Sequence, residues 1–237
     1  HYPAPEHETI VEPFAGAAGY ACNYPDRRVV LYDQSPIIAG IWRYLISVTP
    51  AEILQIPDVP DGGSIDDLPP WVPQEARWLA GFWCSTGAAT PRRRPSTWTT
   101  SVVDGVIKWG WCSRSRLRIA SQLPKIRHWE IIQASYEEAA LVDATWFVDP
   151  PYQNRAGSHY PYQPRDFASL GGWCQSLPGF VIVCENTGAD WLPFRALRTV
   201  KSGVGHHRNS YTSEAIWTNR RPLLAAGGQA VFPWGAA

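Results

Sequence analysis

Ala144-Thr145-Trp146-Phe147-Val148-Asp149-Pro150-Pro151-Tyr152 is the stretch whose reading decides the fold. An apolar, β-prone run ends in an acid, two prolines and an aromatic ring. Neither proline can continue a central strand, so the run stops and the chain turns outward. That leaves one carboxylate, rigid proline backbone and one π-face at the carboxyl end of a buried strand. In open α/β sheets, ligands bind at that end.

Such a constellation suits methylation of the exocyclic amine of a nucleobase. That nitrogen is a poor nucleophile, because its lone pair is delocalised into the ring. Hydrogen bonds from its two N–H groups to fixed acceptors draw it towards tetrahedral geometry and free the lone pair. Asp149 would be one acceptor and the Pro150 carbonyl the other. Tyr152 would stack on the base, which must leave its duplex to be reached. The plainer alternative is a proline-rich turn closing a core strand. A WW-domain ligand is a poor match, since Pro-Pro-x-Tyr needs the ring one residue later.

Working outward, residues 1–8 read as a loop and Thr9-Ile10-Val11 as a short buried strand. It opens into Glu12-Pro13-Phe14-Ala15-Gly16-Ala17-Ala18-Gly19-Tyr20, small residues that let backbone approach a nucleotide-like ligand. Val29-Val30-Leu31-Tyr32 forms the second strand. It ends at Asp33, 17 residues after Gly16, where an acid is placed to grip ribose hydroxyls. Pro36 opens a helix over about 37–46. A nicotinamide-dinucleotide site wants Gly-x-Gly-x-x-Gly, and Gly16-Ala17-Ala18-Gly19 does not supply it. A ligand with adenosine but no pyrophosphate fits better.

From residue 49 to 124 the texture changes to prolines, an acidic loop and a short helix over 74–82. Between Arg92 and Arg118 stand seven basic residues (Arg92, Arg93, Arg94, Lys108, Arg114, Arg116 and Arg118) against one acid, Asp104. Interleaved with Ser, Thr, Trp98, Trp109 and Trp111, they make a candidate surface for phosphate contact and base stacking. For any single arginine, a solvated loop or helix face is the alternative. Beyond it, 129–133 reads as a strand and 137–141 as a short helix. After the opening stretch, 153–164 is a Tyr-rich loop placed to close over an extruded base. An amphipathic helix over 167–177, interrupted at Gly171-Gly172, then precedes a strand over 180–184. A helix over 190–197, a polar loop holding His206, His207 and Arg208, a last strand over 214–219 and a fraying tail complete the chain.

The 237 residues, 45% hydrophobic, suffice for one α/β domain with an insertion. Net charge is +0 and pI about 7.2, so any nucleic-acid footprint is local rather than global. The five cysteines form no Cys-x-x-Cys or Cys/His cluster, so neither a disulfide framework nor a metal site is expected, and a cytoplasmic setting is. No apolar run is long enough to span a bilayer. With no Met at all, even at position 1, the protein is expected to continue upstream of His1.

In this order, the pieces resemble the D12-type (Dam-like) DNA adenine-N6 methyltransferases. The resemblance rests on Val11-Glu12-Pro13-Phe14-Ala15-Gly16-Ala17-Ala18-Gly19, on Leu31-Tyr32-Asp33 and on Phe147-Val148-Asp149-Pro150-Pro151-Tyr152, with weaker support from Glu214-Ala215-Ile216-Trp217. It implies an α/β, Rossmann-like class I S-adenosylmethionine-dependent methyltransferase sheet with an inserted target-recognition subdomain. Residues 1–48 and 125–237 would form the catalytic domain and 49–124 the DNA-binding insertion. By the same resemblance, Glu12, Pro13, Phe14, Ala15 and Gly16 would border the donor's methionine end, Asp33 its ribose, and Ser135 and Tyr136 its adenine. Asp149, Pro150, Pro151 and Tyr152 would hold the target adenine. The cofactor is S-adenosylmethionine, leaving as S-adenosylhomocysteine, and the partner is double-stranded DNA, with no membrane and no metal. The protein is expected to be prokaryotic or phage-encoded and a monomer, with a dimer as the other form. Three features depart from the family pattern: Ala18 replaces the second motif glycine, Ser135 replaces an acid, and residues 1–10 hold no Gly/Ser-Lys tract. The rival readings are transfer to N4 of cytosine or to an RNA adenine, and a catalytically silent DNA-binding module. A nicotinamide-dependent oxidoreductase comes third.

Overall fold

The computed structural model describes residues 2–59, 62–85, 88–97, 99, 102–103, 106–107, 110–155, 157–201, 211–220, 223–224 and 230–231. In chain order the elements are β1 (Thr9–Glu12), β2 (Arg28–Tyr32), α1 (Pro36–Ser47), α2 (Pro50–Gln55), α3 (Gln74–Trp83), β3 (Val102–Val103), β4 (Val106–Ile107), α4 (Ser113–Gln122) and β5 (Glu130–Ile132). There follow β6 (Ala144–Val148), α5 (Phe167–Ser176), β7 (Gly179–Asn186), β8 (Arg195–Lys201), β9 (Tyr211–Thr218), β10 (Leu223–Leu224) and β11 (Ala230–Val231). The chain divides into two units, His1–Gln34 with Ile132–Ala237, and Ser35–Ile131.

Seven strands form a mostly parallel sheet in the order β5-β2-β1-β6-β7-β9-β8. β1 pairs in parallel with β2 on one side and β6 on the other, and β6 pairs in parallel with β7. β9 runs antiparallel to both β7 and β8. The chain builds outward from β1 to β2 and β5, then returns to the middle and builds the other way from β6. The order therefore reverses between β1 and β6, which opens a crevice at their carboxyl ends.

β6 is buried along its whole length, as a strand covered on both faces must be, and its sequence is accordingly apolar rather than alternating. On one face Trp146 and Val148 join Val11, Val30, Val181 and Val183 against Leu170 and Cys174 of α5. On the other, the Phe147 ring stacks on Tyr20 at 4.4 Å and meets the edge of Tyr2 at 5.0 Å. Burying each such aliphatic or aromatic side chain contributes about 1.5–3 kcal/mol. Thr145, polar within this strand, is satisfied because its hydroxyl accepts the N–H groups of Glu6 and His7 at 3.0 and 3.1 Å.

The second unit is mainly helical, with the short antiparallel pair β3–β4. Pro36 at the first turn, with the Ser35 hydroxyl accepting the Ile38 N–H, starts α1. Gly40 lets α1 approach Trp78 of α3: a Cβ there would lie 3.1 Å from the ring. α2 is one helix more than the sequence reading anticipated, although its signal is present. Thr49 and Glu52 form a reciprocal capping box around Pro50. Arg77 ties the 65–69 loop to α3, donating to the carbonyls of Ile65, Leu68 and Pro69 at 2.7–2.8 Å and to Val72 at 3.1 Å.

Several expectations need correction. α1 and residues 125–129 group with the helical unit, while Glu130–Ile132 enters the sheet as β5. Trp129 shows why, packing on Trp42 of α1 at 5.7 Å. The helix expected over 137–141 is a single 3₁₀ turn, Tyr136–Glu138, closed by a Ser135–Glu138 capping box. Gly171-Gly172 does not interrupt α5. A Cβ at Gly171 would lie 2.8 Å from the Trp191 carbonyl, so the glycine serves close packing instead. The helix expected over 190–197 gives way to β8, because pairing with β9 overrides local propensity there. The tail expected to fray includes the short antiparallel pair β10–β11. Lys108, Trp98, Trp109 and the His206-His207-Arg208 loop lie outside the described residues.

Candidate active site

The chain leaves β1 through a turn held against the end of β2. The Ala15 N–H donates to the Tyr32 carbonyl at 2.9 Å and the Gly16 N–H to Asp33 Oδ2 at 3.0 Å. Asp33 is anchored in turn: its own N–H donates to the Ile132 carbonyl, and its carbonyl accepts the Ala134 N–H, both at 3.2 Å. Gly16 sits at φ +44° with no heavy atom within 4 Å of where a Cβ would stand. Ala18 holds φ +46° without being a glycine, a conformation costing a side-chain-bearing residue about 1–2 kcal/mol. Its methyl is fully buried.

Glu12 is 2% exposed, and its Oε1 accepts the Ala21 N–H at 2.6 Å. Burial pushes its carboxyl up to about 8, with the negative charge of Asp149 adding to the rise. Pro13 and Ala15 are buried as well, so Phe14 and Gly16 present the accessible surface of this tract. The Phe14 ring stacks on Tyr136 at 5.3 Å, and Tyr136 meets the edge of Trp173 at 5.0 Å. The Ser135 hydroxyl caps the 3₁₀ turn by accepting the Glu137 N–H at 3.5 Å, while its own N–H donates to Glu138 at 2.8 Å.

The neighbouring strand brings the second half of the site. Ile10 and Val11 of β1 pair with Thr145 and Trp146, so the turn after β1 and the loop beginning at Asp149 leave the sheet side by side. Water reaches Asp149, yet the surrounding protein desolvates its carboxyl and pushes it up to about 6. The Tyr152 hydroxyl donates to it and works against the rise, while the charges of Glu214 and Glu185 add to it. Tyr2, Tyr152 and Tyr160 all have phenols held above their usual range, burial first and the Asp149 charge among the further causes. Three phenols therefore gather around one carboxylate.

The loop after Tyr152 folds back on it. The Gly157 N–H donates to Asn154 Oδ1 at 2.9 Å, and a Cβ on Gly157 would lie 1.9 Å from the Tyr152 carbonyl oxygen. From below, Glu185 at the end of β7 accepts the Gln153 N–H at 2.6 Å. Neither Glu185 nor Tyr2 stood out in the sequence. For Glu185 a signal existed, since the strand 180–184 ends in an acid as 144–148 does. Tyr2 lies in a polar N-terminal segment that carries no signal of its own. Among the described residues, no group of His, Cys, Asp or Glu is arranged to hold a metal ion.

The basic residues disperse within the helical unit. Arg92, Arg93 and Arg94 are exposed, with Arg93 paired to Asp66 through Nε at 2.7 Å and Arg94 donating to the Gly62 carbonyl at 2.8 Å. Arg114 and Arg118 are exposed on α4. Arg116 departs from the expected phosphate contact. It is 8% exposed, ion-paired to Asp58 and laid over the Trp111 ring at 5.9 Å. Two residues along a helix is about 200° of rotation, so alternate arginines cannot share one face.

No helix among the described residues is long and apolar enough to cross a membrane. No family model and no curated protein matches the chain. Among solved structures, the chain is similar to a conserved hypothetical protein of Streptococcus pyogenes. That likeness has 9% identity and a TM-score of 0.31 over 88% of this chain and 84% of the other.

Proposed function

We propose that the protein transfers a methyl group from S-adenosylmethionine to N6 of an adenine flipped out of double-stranded DNA. One observation carries the reading. The Gly16–Asp33 turn and the Asp149–Tyr152 loop leave adjacent parallel strands at the point where the sheet order reverses. The sheet is compatible with the Rossmann-like sheet of S-adenosylmethionine-dependent methyltransferases.

Open space over Gly16 and an acid at the end of β2 fit an adenosine-bearing donor, with Phe14 bordering it and Asp33 at its ribose. Bound there, S-adenosylmethionine supplies an electrophilic methyl group on a sulfonium. Asp149 accepts one N–H of the target amine and the Pro150 carbonyl accepts the other. A carboxylate offers several acceptor sites, so the Tyr152 hydroxyl and the amine can both be served. Tyr152 and Tyr160 border the base. As the amine nitrogen gains positive charge, the ionised Asp149 stabilises it electrostatically. Exposed Arg92, Arg114 and Arg118 are the phosphate contacts this reading retains.

The test is methyl transfer from labelled S-adenosylmethionine to unmethylated duplex DNA, with the product base identified by mass. Wild type yields N6-methyladenine. Asp149→Asn loses on the order of 10²–10³ in kcat while keeping donor affinity, since it removes charge rather than the donor turn. Methylcytosine as the product, methylation of RNA alone, or near-normal turnover by Asp149→Asn would overturn the assignment.

A further inference from the structure

Pro150 and Pro151 have no N–H, so nothing can grip that part of the loop by an amide hydrogen bond. Just past Tyr152, the Gln153 N–H donates to Glu185 Oε1 at 2.6 Å. Glu185 is 1% exposed. The same oxygen accepts the Trp191 indole N–H at 3.2 Å, and Oε2 accepts the Asn186 N–H at 2.6 Å. Three donors on one buried carboxylate make a stiff anchor, because charge-assisted hydrogen bonds are about twice as strong as neutral ones. It sits at the carboxyl end of β7, the parallel neighbour of β6, whose register places Val183 beside Val148. The anchor and the loop it holds are thus fixed to one piece of sheet. Gly157 closes on the Tyr152 backbone from the other side.

We infer that Glu185 is a positioning residue, holding the Asp149–Tyr152 loop through the Gln153 amide in the geometry that presents Asp149 and Tyr152 to a base. The inference rests on the base-capture reading above. Glu185 touches neither base nor donor. Its charge also bears on Asp149, alongside Glu214 of β9. Among the described residues, the other titratable groups whose electrostatics involve Asp149 are Glu12 of β1, Cys184 of β7, Tyr152 and Tyr160 of the loop, and Tyr2.

Two substitutions in the full chain separate geometry from charge. Glu185→Asp keeps the charge but shortens the reach by one methylene. Glu185→Gln keeps the reach and one acceptor oxygen but removes the charge. The readouts are hydrogen exchange at the Gln153 amide, kcat and donor Kd with duplex DNA, and the pH profile of kcat. Glu185→Asp is expected to speed Gln153 exchange and to lower kcat on the order of tenfold to hundredfold, with donor Kd and the acidic limb unchanged. Glu185→Gln is expected to keep Gln153 protected and to move the acidic limb to lower pH. Wild-type exchange and kcat in Glu185→Asp overturn the inference. Should Glu185→Asp fail to fold, a Gln153 amide that exchanges in wild type as fast as an open loop amide overturns it. Faster Gln153 exchange in Glu185→Asp, with no methylation of DNA by wild type, upholds the clamp on the loop and sinks the methyl-transfer reading instead.

Discussion

Replacing Glu12 by Gln should stabilise the protein at neutral pH and hardly at all in mild acid. Glu12 is buried, and its carboxyl titrates near 8 rather than 4.5. Between those values the native state holds a proton that the unfolded chain has released. Stability therefore falls as pH rises through the window from 4.5 to 8, and is flat outside it. At pH 7 the native carboxyl has stayed protonated across 2.5 pH units above its ordinary value, 7 minus 4.5. At about 1.4 kcal/mol per unit this costs ~3 kcal/mol. Gln is the neutral isostere and bears none of that cost, while its amide oxygen can still accept the Ala21 N–H. Urea denaturation of wild type and Glu12→Gln at pH 5, 6, 7 and 8 measures the difference directly. It should be small at pH 5 and grow by about 1 kcal/mol or more per unit up to pH 8. Because wild-type Glu12 is already neutral at pH 7, donor affinity there should change little. A difference that is the same at every pH would show that Glu12 is charged in the native state, and the account of this corner of the site would be refuted.

Wild-type kcat should fall as pH drops through about 6, because Asp149 must be ionised to accept the amine, and a limb near 4 would contradict the desolvated carboxyl described above. Gly157→Ala should lower kcat strongly, since its Cβ would lie 1.9 Å from the Tyr152 carbonyl oxygen and the loop must move; crystallography of the variant would show Tyr152 displaced, and an unmoved loop would contradict the packing. Arg77→Lys should destabilise the helical unit by about 2–4 kcal/mol in thermal unfolding, because one ammonium cannot serve four carbonyls spread over residues 65–72; a loss under ~0.5 kcal/mol would contradict a structural role for that cluster.

What the chain determined by itself is what neighbours in sequence can enforce. Pro150 and Pro151 end β6 wherever that strand lies, Pro36 and Ser35 start α1, and Gly16 permits the left-handed turn that carries the chain out of β1. Those signals were enough to place the Gly16–Asp33 turn and the Asp149–Tyr152 loop at the ends of neighbouring strands in a mixed α/β sheet. They were not enough for residues whose partners lie far along the chain. Glu185 meets Gln153 from 32 positions away, and Arg116 turns inward to Asp58 across 58. β8 is a strand because β9 offers it a ladder, not because residues 195–201 prefer one. The protonation of Glu12 and Asp149 follows the same rule. Desolvation depends on everything packed around a carboxyl, and only the folded chain assembles that surrounding.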